Sequence, residues 1–84
     1  MSRRVEVLKA MAHEDRINIL IALRDGSLNV KEIQSETGLE QTTVSQHLGK
    51  FRSLQLVETK KEATKVFYKI IDPIVLELLE VLVK

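Results

Sequence analysis

At 84 residues, with 44% hydrophobic and 30% charged side chains, the chain has the size of one domain whose single core buries a modest share of the unfolded surface. It contains no cysteine, which excludes disulfides and thiolate metal sites and leaves packing, a partner chain included, as the source of stability. The formal net charge of +1 hides an asymmetry. Between Glu40 and Ile71, Lys50, Arg52, Lys60, Lys61, Lys65 and Lys69 stand against Glu40, Glu58 and Glu62; residues 1 to 39 balance, and the segment after Ile71 is acidic. The longest apolar stretch is broken by Glu77 and Glu80 and is too short to cross a bilayer. Glu6 and Lys9 interrupt what would have to be the apolar region of a signal peptide, so a cytoplasmic location is expected.

Val5, Leu8 and Ala12 keep helical spacing in the first segment, and Ile17, Leu20, Ile21 and Leu23 keep it in the second, which ends near Asp25-Gly26. Two helices are predicted, meeting around His13. Ser27-Leu28-Asn29 reads as a turn or a minimal strand, with Asn29 placed to cap a helix from Val30 and Glu32 three residues on, close to a capping box. That helix stops at Thr37-Gly38, where glycine adopts the left-handed conformation without a Cβ clash. From about Gln41 to Leu54 an amphipathic helix places Val44, Leu48 and Phe51 on one face, while Thr42, Thr43, Ser45, Gln46, His47, Lys50 and Arg52 occupy the others. Residues 56–60 and 65–71 have the β-branched and aromatic content of strands, with Lys61 to Thr64 as the turn of a two-stranded hairpin. Asp72-Pro73 opens a last helix with a capping acid followed by proline at the first helical position.

A short helix, a glycine-containing turn and a second helix with a polar face make a helix-turn-helix, and the hairpin after it makes the motif winged. The predicted fold class is therefore mostly α with a small β-hairpin, in one domain over 1–84, with the helix-turn-helix at 30–54 and the wing at 56–71. The chemistry suits double-stranded DNA. Amide and hydroxyl side chains and Arg or Lys read base edges in the major groove, and Lys, Ser, Thr and helix N-termini hold phosphates. Lys50 belongs to this polar, basic set.

The stretch Leu8-Lys9-Ala10-Met11-Ala12-His13-Glu14-Asp15-Arg16-Ile17-Asn18-Ile19-Leu20 resembles the opening of the ArsR/SmtB-type winged-helix repressors, which carry a similar L-x-A-[LM]-[AS]-[HD]-x-x-R-x-x-I-L run. Thr42-Thr43-Val44-Ser45-Gln46-His47-Leu48 resembles that family's recognition helix, typically S-T-V-S-x-H-L, and Val66-Phe67-Tyr68-Lys69-Ile70 resembles its second wing strand. The resemblance covers nearly the whole chain, in order. It implies a homodimeric transcriptional regulator, a repressor whose two recognition helices enter successive major grooves of a palindromic operator until an inducer or protein partner intervenes. Carried over by position, Gln41, Thr42, Thr43, Ser45, Gln46 and His47 face DNA, and Lys60, Lys61 and Lys65 lie along the wing.

The departures from the family bear on regulation. Metal-sensing members often carry a Cys-x-Cys pair at the start of the first motif helix, where this chain has Asn29 and Lys31. Others use Asp and His of the last helix, where only Asp72 fits and Ile74 stands in place of a His. No imidazoles or thiolates are grouped along the sequence, so no metal site and no cofactor are expected. His13, at a helix start, reads as a capping or packing residue. The glycine that usually precedes the first wing strand is replaced by Gln55, and the wing tip carries Ala63 instead of glycine.

The last helix is apolar around most of its circumference, more than so small a chain is expected to cover by itself. Residues 1–12 and 72–84 are accordingly expected to form a homodimer interface through Val5, Leu8, Val75, Leu78, Leu79 and Leu82. An enzyme is excluded on motif grounds: there is no nucleophile with a paired base, no carboxylate pair, no P-loop and no glycine-rich dinucleotide turn. The alternative is a winged-helix protein-interaction module that does not bind DNA.

Overall fold

The computed structural model describes residues 2–83; Met1 and Lys84, the outer ends of the two expected dimerisation segments, lie outside them. In chain order the elements are α1 (Arg3–Met11), α2 (Glu14–Leu23), β1 (Leu28–Asn29), α3 (Val30–Thr37), α4 (Gln41–Ser53), β2 (Val57–Glu62), β3 (Lys65–Ile70) and α5 (Pro73–Leu82). The helices pack around one core that includes Met11, Leu20, Ile33, Leu48, Phe51 and Leu56, all fully buried.

The caps of α3 and α5 fall where the sequence places them, and α1 and α2 are capped by side chains as well. Ser2 Oγ accepts from the Val5 N–H at 3.2 Å, and the His13 imidazole caps α2. The Asn29 side chain accepts from the Glu32 N–H and the Glu32 carboxylate accepts from the Asn29 N–H, both at 2.9 Å, so the capping box is complete with asparagine in the position usually held by Ser or Thr. Gly38 ends α3 with φ 74°, and its N–H reaches the Gln34 carbonyl at 2.8 Å. Asp72 accepts from the Ile74 N–H at 2.8 Å and starts α5, with Pro73 directly after it.

The sheet has three antiparallel strands in the order β1-β3-β2, one more than the hairpin expected. Leu28 and Asn29 pair with Tyr68 and Phe67, so the turn-or-strand segment is an edge strand that runs straight into α3. The hairpin is also longer than read from the sequence: Lys61 and Glu62 still pair, with Val66 and Lys65, which leaves only Ala63 and Thr64 in the turn. Two residues between antiparallel strands form the tightest common hairpin connection, and it needs positive φ, supplied here by Ala63 at 55°.

Gln55 is the second non-glycine residue with positive φ, at 60°. Its N–H bonds to the Arg52 carbonyl at 3.0 Å and the Leu56 N–H bonds to the Phe51 carbonyl at 2.9 Å. This is the Schellman ending, with glutamine where glycine is favoured and with Leu56 and Phe51 supplying its apolar contact.

One expectation about α5 is corrected. Val75 and Leu79 are fully buried within the chain's own core and are unavailable to a partner, and Leu78 packs partly against that core. The chain covers one face of α5 because α1, α2 and β3 all pack on it. What stays bare is the C-terminal end and one flank of α5, where Leu82 is 48% and Val81 74% exposed, together with Val5 and Leu8 of α1.

A left-handed residue with a Cβ costs about 1–2 kcal/mol, partly offset by the greater freedom that glycine loses on folding. Gln55→Gly is therefore expected to stabilise the domain by about 0.5–1 kcal/mol, read as a higher urea midpoint at unchanged m-value. A lower midpoint would show that the glutamine side chain contributes more than its backbone strain costs.

Candidate nucleic-acid interface

The polar surface is built on α4. Val44, Leu48 and Phe51 recur at intervals of four and three and are fully buried, which fixes both the depth and the rotation of the helix. The opposite face then presents Thr42, Ser45, Gln46 and Gly49 as one exposed stripe, with Gln41 and Lys50 exposed beside it. Thr43 and His47 are half-buried along one flank, so the residues expected to face DNA fall into an exposed stripe and an inner edge. A Cβ at Gly49 would meet nothing within 4 Å, so the packing of the domain does not require glycine there.

The wing lysines do not form one strip. Directly opposed residues of an antiparallel pair share a face, so Glu58, Lys60 and Glu62 lie with Lys69, Phe67 and Lys65. On that outer face Lys60 sits 3.7 Å from the Glu62 carboxylate, and each lysine has an acidic neighbour along or across the strands. Lys61 lies on the other face, the side that carries buried Val57 and Ile70. Like Lys65 it makes no ion pair among the described residues, but its cross-strand partner is Val66, whereas Lys65 stands opposite Glu62, so its charge is the least compensated of the three expected contacts.

A feature the sequence did not reveal lies behind α4. His13 and His47, 34 positions apart, meet with ring centroids 5.0 Å apart and planes tilted by 57°. Ligand atoms of His13, Asp15 and His47 come within 4.8 Å of one another, so imidazoles that seemed ungrouped along the chain are grouped in space. Their lone pairs are engaged, however. The Asp15 N–H donates to His13 Nδ1 at 3.1 Å, and Arg16 Nε donates to His47 Nδ1 at 3.1 Å while its Nη1 donates to the Ala10 carbonyl at 3.1 Å. A cation would have to displace a guanidinium and a helix cap, at the positive end of α2. Desolvation, then the charge of Arg16 and the neighbouring His13, hold the His47 imidazole below its usual pKa, against a smaller opposing pull from Asp15.

Asp72, the one residue matching the acid of a last-helix metal site, is committed elsewhere. It is 9% exposed, caps α5, and accepts from Arg3 Nε at 3.2 Å and Nη2 at 2.9 Å.

Residues 13–59, which contain the helix-turn-helix and the first wing residues, match the model of the family described as "Bacterial regulatory protein, arsR family". The chain belongs to that family. It is 43% identical over 81 residues to the transcriptional activator HlyU of Vibrio cholerae, a span of 96% of this chain and 75% of that protein. A solved structure of HlyU from Vibrio cholerae superposes with a TM-score of 0.85 at 45% identity, over 93% of this chain and 85% of the other. The transcriptional repressor BigR from Xylella fastidiosa superposes with a TM-score of 0.88 at 29% identity, over 93% and 80%. Curated relatives are covered to differing extents, from 75% of HlyU to 51% of the regulator KmtR of Mycobacterium tuberculosis. As an ArsR-family protein the chain is a transcriptional regulator with a DNA-binding winged helix-turn-helix, and it is not an enzyme. No helix among the described residues is long and apolar enough to cross a membrane.

The lowered pKa of His47 makes folding pH-dependent with a defined sign. Between the ordinary histidine value of about 6.5 and the lower native value, the unfolded chain binds a proton that the native chain does not, so stability falls as pH falls through that window and is fully present above it. Urea midpoints measured between pH 7.5 and 5.5 are expected to decline in the wild type, and the decline is expected to be shallower in His47→Gln. Equal slopes in the two proteins would contradict the assignment.

Proposed function

We propose that the protein works as a homodimeric repressor in the cytoplasm, binding a palindromic operator with α4 in the major groove and the wing on the flanking backbone. The observation that carries this reading is the division of α4 into a face locked in the core and an exposed stripe of hydroxyl and amide groups. A reading helix needs both, since base edges are recognised only if the side chains arrive in a fixed register. Thr42, Ser45 and Gln46 are assigned to base edges, with Gln41 and Lys50 at the ends of the stripe and Thr43 and His47 on its inner edge. Lys61 is assigned to phosphate, with Lys60 and Lys65 as weaker contributors because acidic residues adjoin them.

Dimerisation is assigned to the bare faces of α1 and α5. Val5, Leu8 and Leu82 are exposed apolar side chains from opposite ends of the sequence, carried by two helices that pack on one another. A two-fold arrangement through them would present two α4 helices, and half-sites one helical turn of DNA apart follow from that symmetry. Relatives include a named activator and a named repressor; repression is chosen because a dimer occupying a promoter blocks it without requiring a second contact. Any inducer acts elsewhere than at a thiolate site, since there is no cysteine.

The test is selection of labelled genomic duplexes by the purified protein, followed by fluorescence anisotropy at low and moderate salt. Saturable, salt-sensitive binding with a recovered palindrome is expected; no duplex binding at low salt would overturn the proposal. On the selected operator, Gln46→Ala and Ser45→Ala should each lower the preference for operator over random duplex, by up to about 1–3 kcal/mol where the contact is bidentate. Lys61→Ala should weaken both duplexes alike and make the salt dependence shallower by about one unit of slope.

In sedimentation, Leu8→Glu and Leu82→Glu are expected to give folded monomers, because both side chains are exposed in the single chain and the added charge stays in solvent. Leu79→Glu is expected to unfold the chain, because it would place a charge in the core. Dimers that persist in both surface variants would remove the interface assignment.

A further inference from the structure

The joint between α2 and the recognition helix has a consequence for what His47 is able to read. Arginine keeps its proton throughout the range in which proteins fold, so a guanidinium N–H facing Nδ1 fixes that nitrogen as an acceptor. The only place left for the proton of a neutral imidazole is Nε2. Free imidazole exchanges between two tautomers, one of which would offer an acceptor at Nε2; Arg16 removes that choice. The charged groups that face the ring are Arg16, His13 and Asp15 from α2 and its cap, with Lys50 one turn further along α4. The His13 ring is itself held in place, with Nδ1 accepting from the Asp15 N–H. Arg16 is anchored in turn, by its second bond to the Ala10 carbonyl near the end of α1.

We infer that Arg16 is the positioning residue of the reading surface: it holds His47 on the inner edge of α4 as a neutral side chain with a fixed Nε2–H donor, which selects a hydrogen-bond acceptor on the DNA. The acceptors within this class are N7 or O6 of guanine, N7 of adenine, O4 of thymine, or a phosphate oxygen. The inference rests on the DNA-binding reading above for its consequence, but the state of the His47 ring is a property of the free protein. The two are therefore tested separately.

The first measurement is made without DNA. In 15N-histidine-labelled protein, two-bond proton–nitrogen spectra are expected to show His47 as the Nε2–H tautomer alone, titrating below the ordinary histidine range. In Arg16→Met an Nδ1–H population is expected to appear and the titration midpoint to move up towards the ordinary value. Arg16→Gln, which keeps a polar amide for the Ala10 carbonyl, is the second variant should Arg16→Met lose its fold, and the same upward movement is expected. An unchanged tautomer and midpoint in the folded variant would falsify the positioning role, whatever the protein does with DNA.

The second measurement is a double-mutant cycle on operator and random duplexes. Arg16→Met is expected to lower the operator preference roughly fivefold, the scale of one hydrogen bond, and to have no further effect in a His47→Ala background. A loss of equal size in both backgrounds would mean that Arg16 acts on α4 without His47 and would overturn the inference. If the wild-type protein selects no duplex at all, the DNA-binding reading fails while the spectra still decide the state of the ring.

Discussion

Asp72 is where the two ends of the chain are tied together. Its carboxylate is almost completely buried, and such a group persists in a small domain only if its lone pairs are used. Here they are used twice over, by the first free N–H of α5 and by the guanidinium of Arg3, which also donates from Nη2 to the Leu54 carbonyl at 2.8 Å. One side chain of α1 therefore meets the cap of α5 and the end of the recognition helix at the same time. The Asp72 and Ile71 N–H groups add bonds to the Leu56 carbonyl, so the start of α5 is also held against the residue that leads into the wing. This junction fixes α1, the start of α5 and the end of α4 relative to one another.

Much of this architecture was readable because it depends on neighbours in sequence. Caps act over two or three residues, so Asn29 with Glu32, Gly38, and Asp72 with Pro73 announced the limits of α3 and α5 directly. The two faces of α4 were equally plain, since the spacing of Val44, Leu48 and Phe51 alone divides the helix. The features that escaped are those in which partners are distant. A two-residue strand such as Leu28–Asn29 has no period of its own and exists because Tyr68 and Phe67 are there to pair with it. His13 and Arg16 meet His47 only once α2 has packed behind α4; both ends lie in recognisable motifs, but nothing local joins them.

The misassignment of Val75 and Leu79 has a different origin. A helix apolar on nearly every side carries no periodic signal to separate the face it buries at home from the face it offers elsewhere. The division of the wing lysines between two faces was likewise not legible in a count of charge, which ignores the alternation of faces that sets Lys61 apart from Lys60 and Lys65. Net charge was a poor guide throughout. What distinguishes the surface of α4 is the order in which uncharged donors and acceptors are displayed.

The edge strand has a mechanical consequence. Asn29 is at once the last residue of β1, bonded to the wing through its pairing with Phe67, and the cap from which α3 hangs. No flexible residue separates the two roles. A wing pressed or tilted by a ligand therefore cannot move as an isolated flap; the displacement is delivered to the first turn of α3 and through it to the packing under α4. The hairpin acts as a lever arm with its fulcrum at residue 29, so that force applied at its tip is felt at the opposite end of the helix-turn-helix.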